Sequence, residues 1–409
     1  MRESISTTKI NHHFVLKYQE NIAQKAKFLI AELGYKLEEV LLISDKRIWQ
    51  KYRKSFGKDF ANNVGKTLIF NDLQADKKFI DKIIDNFKNL KLIIAVGSGT
   101  VNDLAKYSAF LTKKNYVIFP TAPSMNGFAS INASITINNH KKTLHATLPL
   151  AIFCDLKILK KAPRKMIKAG ISDAICLYSC WFDWQLSNLI TCSKFDFKTI
   201  AMQQKLWDQF FKVYQNYQID DQKLLKDLME ILITSGMAMT LAKGSYPASQ
   251  SEHLIAHCLT MKYPEKFRRI LHGQLIAITT YQSLKIQKKI LLDLKNNSLK
   301  LTLSNKSWQK QLINYFGKKI AHETIEEYQN KNFKEHKIAQ INKNISDNHI
   351  LIYKALQPIV EHHNLITKVF DHFNISTNFA SLKISKKQFF QAIYFAKFIR
   401  NRFTCLDFF

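Results

Sequence analysis

Leu92-Ile93-Ile94-Ala95-Val96-Gly97-Ser98-Gly99-Thr100-Val101-Asn102-Asp103-Leu104-Ala105-Lys106-Tyr107 is the stretch that decides the fold. Its first five residues are apolar and mostly β-branched, the pattern of a strand buried on both faces. The glycines that follow let the backbone turn tightly and approach a phosphate group. A helix over about 102–111 would then present unbonded N–H groups and the positive end of its dipole. A second apolar run at 116–119 ends at Pro120, so the segment reads as strand, helix, parallel strand. That is the unit of a doubly wound sheet, whose ligands lie beyond the carboxyl ends of the strands. The third glycine of the usual dinucleotide pattern is absent, and an ordinary tight turn accounts for Gly97, Ser98, Gly99 and Thr100 as well as a phosphate cradle does.

Upstream, residues 22–33 space their apolar side chains as a helix, Gly34 can close it, and residues 40–44 (VLLIS) read as another buried strand. Asp45 follows that strand, where a carboxylate either accepts hydrogen bonds from a ribose or caps the next helix. After about residue 162 the strand signals stop, and helical spacing takes over at 207–214, 224–241, 253–261 and 387–400. The expectation is therefore an α/β doubly wound nucleotide-binding domain over 1–161 and an all-α domain over 162–409. Residues 285–343 are rich in Lys and Asn with few helix breakers, which suggests solvated helices and a surface insertion.

The 409 residues are 46% hydrophobic and 12% aromatic, enough for a large core and against disorder or a disulfide scaffold. Lys and Arg number 61 against 32 Asp and Glu, a formal net charge of +29. Only eight of the basic residues are Arg, the side chain suited to bidentate phosphate and base recognition, so the charge reflects lysine usage and predicts no specific nucleic-acid partner. The six cysteines are irregularly spaced without a CxxC pair, which points to buried free thiols. With no apolar leader at the start and no apolar run long enough for a membrane span, the expected location is the cytoplasm.

Glu252-His253-Leu254-Ile255-Ala256-His257 and Leu271-His272-Gly273 hold the remaining chemistry. On a helix, His253 and His257 share a face, and His272 can return from the next element. Leu254 occupies the place where the zinc-protease pattern needs Glu, so that reading fails. Asp173, in Gly170-Ile171-Ser172-Asp173, would complete an Asp and two His set, which suits Zn²⁺ or Fe²⁺ with open positions for a substrate.

In order along the chain stand GSGTVNDLAKY (97–107), FPTAPSMNGFAS (119–130), AGISDAI (169–175), FDWQL (182–186), SYPASQSEH (245–253), LHG (271–273) and IRNRFTCLD (399–407). This series resembles the sn-glycerol-1-phosphate dehydrogenase family, a branch of the iron-containing alcohol dehydrogenase and dehydroquinate synthase superfamily. The resemblance runs from about residue 15 to the C-terminus and is poorest after 285. It implies an N-terminal Rossmann-like domain for NAD or NADP and a helical domain for metal and substrate. By matching motifs, Asp173, His253 and His272 fall on the ligands of one divalent metal, zinc first, with iron or nickel as the other candidates. Gly97, Ser98, Gly99, Thr100 and Asp103 fall on the pyrophosphate loop and its helix, and Thr121 and Ser124 on the segment lining the nicotinamide. His257 matches a histidine near the metal that is not a ligand, either a proton shuttle or a hydrogen-bonded neighbour of the ligands.

The implied reaction is reversible hydride transfer between a nicotinamide and the carbonyl of a hydroxy-ketone such as dihydroxyacetone phosphate, in a homo-oligomer. Relative to the family pattern, Asn126 stands for Asp, Leu177 for Lys, Tyr246-Pro247-Ala248-Ser249-Gln250 for Arg-Pro-Ala-Ser-Gly, and Gln274 for Glu. These departures lie on the substrate side and predict a less negative site in which Asn126 holds a substrate hydroxyl without taking a proton. The competing readings are a cyclase of the dehydroquinate synthase kind and a nucleotide-binding homologue without catalysis.

Overall fold

The computed structural model describes residues 3–5, 14–57, 60–137, 140–303, 307–331 and 333–409. Nine strands occur among them: β1 (Glu3–Ile5), β2 (Phe14–Gln19), β3 (Val40–Asp45), β4 (Lys66–Phe70), β5 (Leu92–Gly97), β6 (Asn115–Pro120), β7 (Asn132–Ile137), β8 (His140–His145) and β9 (Ala151–Asp155). Seven form one sheet in the order β1-β2-β9-β6-β5-β3-β4, with β1 antiparallel at one edge and the other six parallel. The chain leaves β3 toward β4 on one side and continues through β5, β6 and β9 on the other, so the direction of winding reverses between β3 and β5. In sheets of this kind the carboxyl ends of the strands at such a reversal are where nucleotides bind. The remaining pair, β7 and β8, is an antiparallel hairpin.

The interior strands are apolar because helices cover both faces: β3, β5, β6 and β9 are buried nearly throughout. Helix Gly99–Thr112 makes the crossover from β5 to β6. Its Lys106 is fully buried and donates to Gly127 O (2.5 Å) and Asn132 O (3.0 Å), which fastens the segment after β6 to this helix. Burial pushes the Lys106 amine down to about 8, against a weaker upward pull from Asp103.

The chain forms two compact units that are discontinuous in sequence: residues 1–171 with 205–243, and residues 172–204 with 244–409. The expectation drew a single boundary after 161. Residues 205–243 go with the sheet because helix Gln222–Leu241 packs on the Gly127–Ala129 turn and on helix Leu156–Lys160, and Thr240 Oγ1 accepts from Ile131 N.

In the helical unit, His272–Lys295 is the central helix, packed by Leu177–Thr191, Ser251–Lys262 and Glu335–Glu361. Buried Asp183 joins three distant segments: its Oδ2 accepts from Ser251 N (3.0 Å) and its Oδ1 from Cys405 N (2.9 Å). The words around 183, 251 and 405 therefore belong together for a structural reason. The Lys-rich region is helical over Trp308–Phe316, Lys318–Gln329 and Glu335–Glu361, and it buries Leu312, Tyr315, Ile338 and Ile341. Trp308 stacks on Phe398 at 5.7 Å, so these helices help close the unit. Cys154, Cys176, Cys180, Cys258 and Cys405 are buried free thiols, and Cys192 is exposed. No helix among the described residues is long and apolar enough to cross a membrane.

Candidate active site

The glycine turn closes β5 and opens helix Gly99–Thr112, with Ser98 at the N-cap. Asn102 N bonds Ser98 O at 2.9 Å, and Thr121 N bonds Gly97 O at 2.9 Å, so the turns after β5 and β6 lie side by side. Gly97 is required by packing, since a Cβ there would stand 2.6 Å from Cβ of Val101. A Cβ on Gly99 would meet only the flexible side chain of Met125, at 3.3 Å. Thr121 is buried and Ser124 is half-buried in the same turn, and Asn126 leads into Gly127–Ala129.

Two residues expected at the nucleotide have structural duties here. Asp45 Oδ1 accepts from Arg47 N (2.8 Å) and so caps helix Lys46–Tyr52. Asp103 is buried on the inner face of its helix, accepts from Ser134 N in β7 (3.1 Å), and stands 4.0 Å from Lys106. Sequence reading had no signal for this duty, because the bond joins residues 103 and 134 on separate elements, and no local pattern relates the helix to the hairpin.

In the helical unit, Asp173, His253 and His272 come together from three helices. Asp173 Oδ1 stands 3.5 Å from His253 Nε2 and 3.6 Å from His272 Nε2, and the three ligand atoms lie within 4.8 Å of one another. With bonds of about 2.1 Å, neighbouring ligands on a tetrahedral ion stand about 3.4 Å apart, so the distances from Asp173 to both imidazoles match those around a divalent cation. Asp173 and His253 are buried, while His272 is partly open to solvent, as a site that admits a substrate requires. The His257 ring lies 6.1 Å from that of His253 and 6.0 Å from that of His272, on the same helical face as His253.

Glu252, quoted in the motif but given no role there, proves central. Its Oε1 lies 2.9 Å from His253 Nδ1 and accepts from Gln250 N (2.7 Å), while Oε2 accepts from Ser179 Oγ (2.8 Å). A carboxylate on the far nitrogen of a ligating histidine fixes its tautomer and ring orientation. Burial alone would raise the Glu252 carboxyl, but hydrogen bonding and attraction from His253 hold it at about 2. Burial likewise opposes charge on His253, yet Asp173, Cys176 and Glu252 raise it well above its ordinary value.

The substrate-side departures also find their places. Leu177 is fully buried. Tyr246 stacks on Trp184 at 5.7 Å and lies 4.4 Å under the Arg402 guanidinium, which donates to Ser249 O and Ser245 Oγ. Gln274 is exposed and its Oε1 accepts from Leu271 N (3.1 Å), so its local duty is to cap helix His272–Lys295.

A parallel nucleotide-type sheet with a separate helical unit carrying an Asp, His, His set defines an alcohol dehydrogenase of the metal-dependent class. Its fold is that of solved structures including a probable glycerol dehydrogenase from Sinorhizobium meliloti 1021 (TM-score 0.59, 16% identity, 93% of this chain and 87% of that one). Sulfoacetaldehyde reductase from Bifidobacterium kashiwanohense is similar too (TM-score 0.58, 13% identity, 96% and 94%). The family model for iron-containing alcohol dehydrogenase matches residues 17–163. Glycerol-1-phosphate dehydrogenase [NAD(P)+] of Sulfurisphaera tokodaii is 33% identical over 246 residues, 54% of this chain and 69% of the relative. The enzyme of the same name from Geobacillus thermodenitrificans is 29% identical over 282 residues, 66% and 70%. The chain belongs to the glycerol-1-phosphate dehydrogenase family of iron-containing alcohol dehydrogenases.

Proposed function

We propose that this protein is a metal-dependent NAD(P)H oxidoreductase that reversibly reduces dihydroxyacetone phosphate or a closely related hydroxy-ketone. The observation that carries the reading is the convergence of Asp173, His253 and His272 in a chain whose relatives are named glycerol-1-phosphate dehydrogenases. A divalent ion at these ligands, zinc before iron or nickel, supplies Lewis acidity toward a carbonyl oxygen, and the nicotinamide supplies the hydride.

The chain's own residues do the rest. Gly97, Ser98, Gly99 and Thr100 offer backbone N–H groups to the pyrophosphate, and Thr121 and Ser124 border the nicotinamide. The Asp45 cap uses Oδ1, which leaves Oδ2 for a ribose hydroxyl; a carboxylate there favours NAD over NADP. Asp103 acts through the hairpin it anchors. Glu252 holds His253 in the tautomer that presents Nε2. His257 carries the proton that the new hydroxyl needs, and Asn126 orients a substrate hydroxyl through its amide without exchanging a proton. The proposal places the protein in the cytoplasm as a homo-oligomer, with no part for nucleic acid.

The test is NADH oxidation with dihydroxyacetone phosphate and dihydroxyacetone in parallel, in wild type, Asn126→Asp and His257→Ala. Wild type reduces the phosphorylated ketone, and His257→Ala is slower by about 10²-fold or more, the scale of one general acid. Activity with neither ketone in wild type, appearing only in Asn126→Asp, defeats the reading.

A further inference from the structure

Behind His253 runs a directed chain of hydrogen bonds that begins on the central helix His272–Lys295. Gln287 Nε2 donates to Ser179 O (3.0 Å) and to Ser179 Oγ (3.2 Å), and Ser179 Oγ donates to Glu252 Oε2 (2.8 Å). Glu252 Oε1 in turn lies 2.9 Å from His253 Nδ1. Gln287, Ser179 and Glu252 are fully buried.

Donor and acceptor chemistry fixes the direction. The backbone carbonyl of Ser179 needs the amide nitrogen of Gln287 opposite it, not the amide oxygen. That nitrogen also takes the acceptor side of the Ser179 hydroxyl, whose single proton is left for Glu252 Oε2. The other carboxylate oxygen, Oε1, accepts from Gln250 N (2.7 Å) and from Cys180 Sγ (3.1 Å). The last torsion of a glutamate is broad, so its carboxylate plane is set only when both oxygens are held. With Oε2 tied to Ser179, Oε1 stays on Nδ1, and the His253 ring turns Nε2 toward Asp173 Oδ1, 3.5 Å away.

We propose that Ser179 and Gln287 are positioning residues for the metal centre, orienting the Glu252 carboxylate and through it the His253 ring. The proposal rests on reading Asp173, His253 and His272 as ligands of a divalent ion. Gln287 stands about four turns along its helix from His272, so this one helix supplies a ligand at its start and the anchor of a second ligand further on. Orientation and stability are separable at this position. Gln287 Oε1 is buried without a hydrogen-bond partner among the described residues, which disfavours the folded state, and Gln287→Leu removes that penalty together with the donor.

Zn²⁺ affinity of the metal-stripped protein, read by competition with a chromophoric chelator and without nicotinamide or ketone, tests this beside thermal melts of the same samples. Ser179→Ala should weaken Zn²⁺ binding by about 10- to 100-fold and Gln287→Leu by about 10-fold, the range for partners of metal ligands. Metal-stripped Gln287→Leu should melt no lower than wild type. In a Ser179→Ala background Gln287→Leu should add nothing to the loss of affinity, because the chain is already cut. Wild-type affinity in both single variants, or losses that simply add in the double variant, overturns the positioning roles. Gln287→Leu that melts lower but binds Zn²⁺ as wild type does overturns them too, even if Ser179→Ala fails to fold. Wild type that binds no Zn²⁺ overturns the metal centre and this proposal together, whereas wild type that binds Zn²⁺ and reduces no ketone defeats only the proposed reaction.

Discussion

Replacing Gly97 or Gly99 with alanine separates the packing duty of the turn from its ligand duty. At position 97 the new Cβ stands 2.6 Å from Cβ of Val101, whereas ordinary contact begins at 3.4 Å, so backbone must move by about 0.8 Å. Val101 lies in the first turn of helix Gly99–Thr112 and is itself buried, so the displacement has no flexible side chain to absorb it. Overpacking of this kind costs about 1–3 kcal/mol. For a unit of this size the melting temperature should fall by roughly 2–12 °C. At position 99 the Cβ meets Met125 Cγ at 3.3 Å, and a few tenths of an ångström of methionine adjustment relieves it. Gly99→Ala should therefore melt within about 1 °C of wild type. Its NADH affinity should nonetheless fall by about tenfold or more, because the methyl stands where a pyrophosphate approaches the backbone. Thermal melts with parallel NADH fluorescence titrations read both quantities. Gly97→Ala melting with wild type refutes the packing argument, and unchanged NADH affinity in Gly99→Ala refutes the phosphate-loop assignment.

Lys106 gives a pH signature: its amine is lowered to about 8 in the folded protein from an ordinary 10.5. Between these values the unfolded chain holds the extra proton, so wild type should gain stability relative to Lys106→Met as pH rises from about 8 toward 10.5, measured by denaturant melts across that range. A difference that stays flat or shrinks contradicts the burial of a titrating amine. Asp183→Asn removes a buried charge whose carboxyl burial pushes up to about 6, yet it should destabilise by about 1–3 kcal/mol, since an amide offers one acceptor oxygen to the N–H groups of Ser251 and Cys405. Equal or greater stability in that variant at neutral pH would show that the desolvated charge outweighs the two hydrogen bonds.

How much of this was legible follows from where each residue sits. β3, β5 and β6 are continuous apolar runs because both faces are covered, and the parallel sheet with its glycine turn is readable from them. β4 is a partly exposed edge strand beginning with Lys66, and β2 mixes Lys17 and Gln19 with its apolar residues, so neither stands out from its surroundings. Helical spacing locates 224–241 but says nothing about which core it joins, and packing on the Gly127–Ala129 turn decides that. Residue type, helical spacing and the ordered motif words together suggest Asp173, His253 and His272, but their meeting depends on three helices that no local pattern relates. Asp45 and Asp103 illustrate the converse: a carboxylate in a motif has backbone N–H groups as competing partners, and only the fold shows that it takes them.

The most direct measurement is NADH oxidation by the purified protein with dihydroxyacetone phosphate, before and after chelation of divalent ions, beside His272→Ala. Activity should vanish on chelation, return when Zn²⁺, Fe²⁺ or Ni²⁺ is restored, and stay absent in His272→Ala, because Asp173 and His253 alone leave the ion too few ligands. Turnover that persists at the wild-type rate in the chelated protein, or in His272→Ala, contradicts the account.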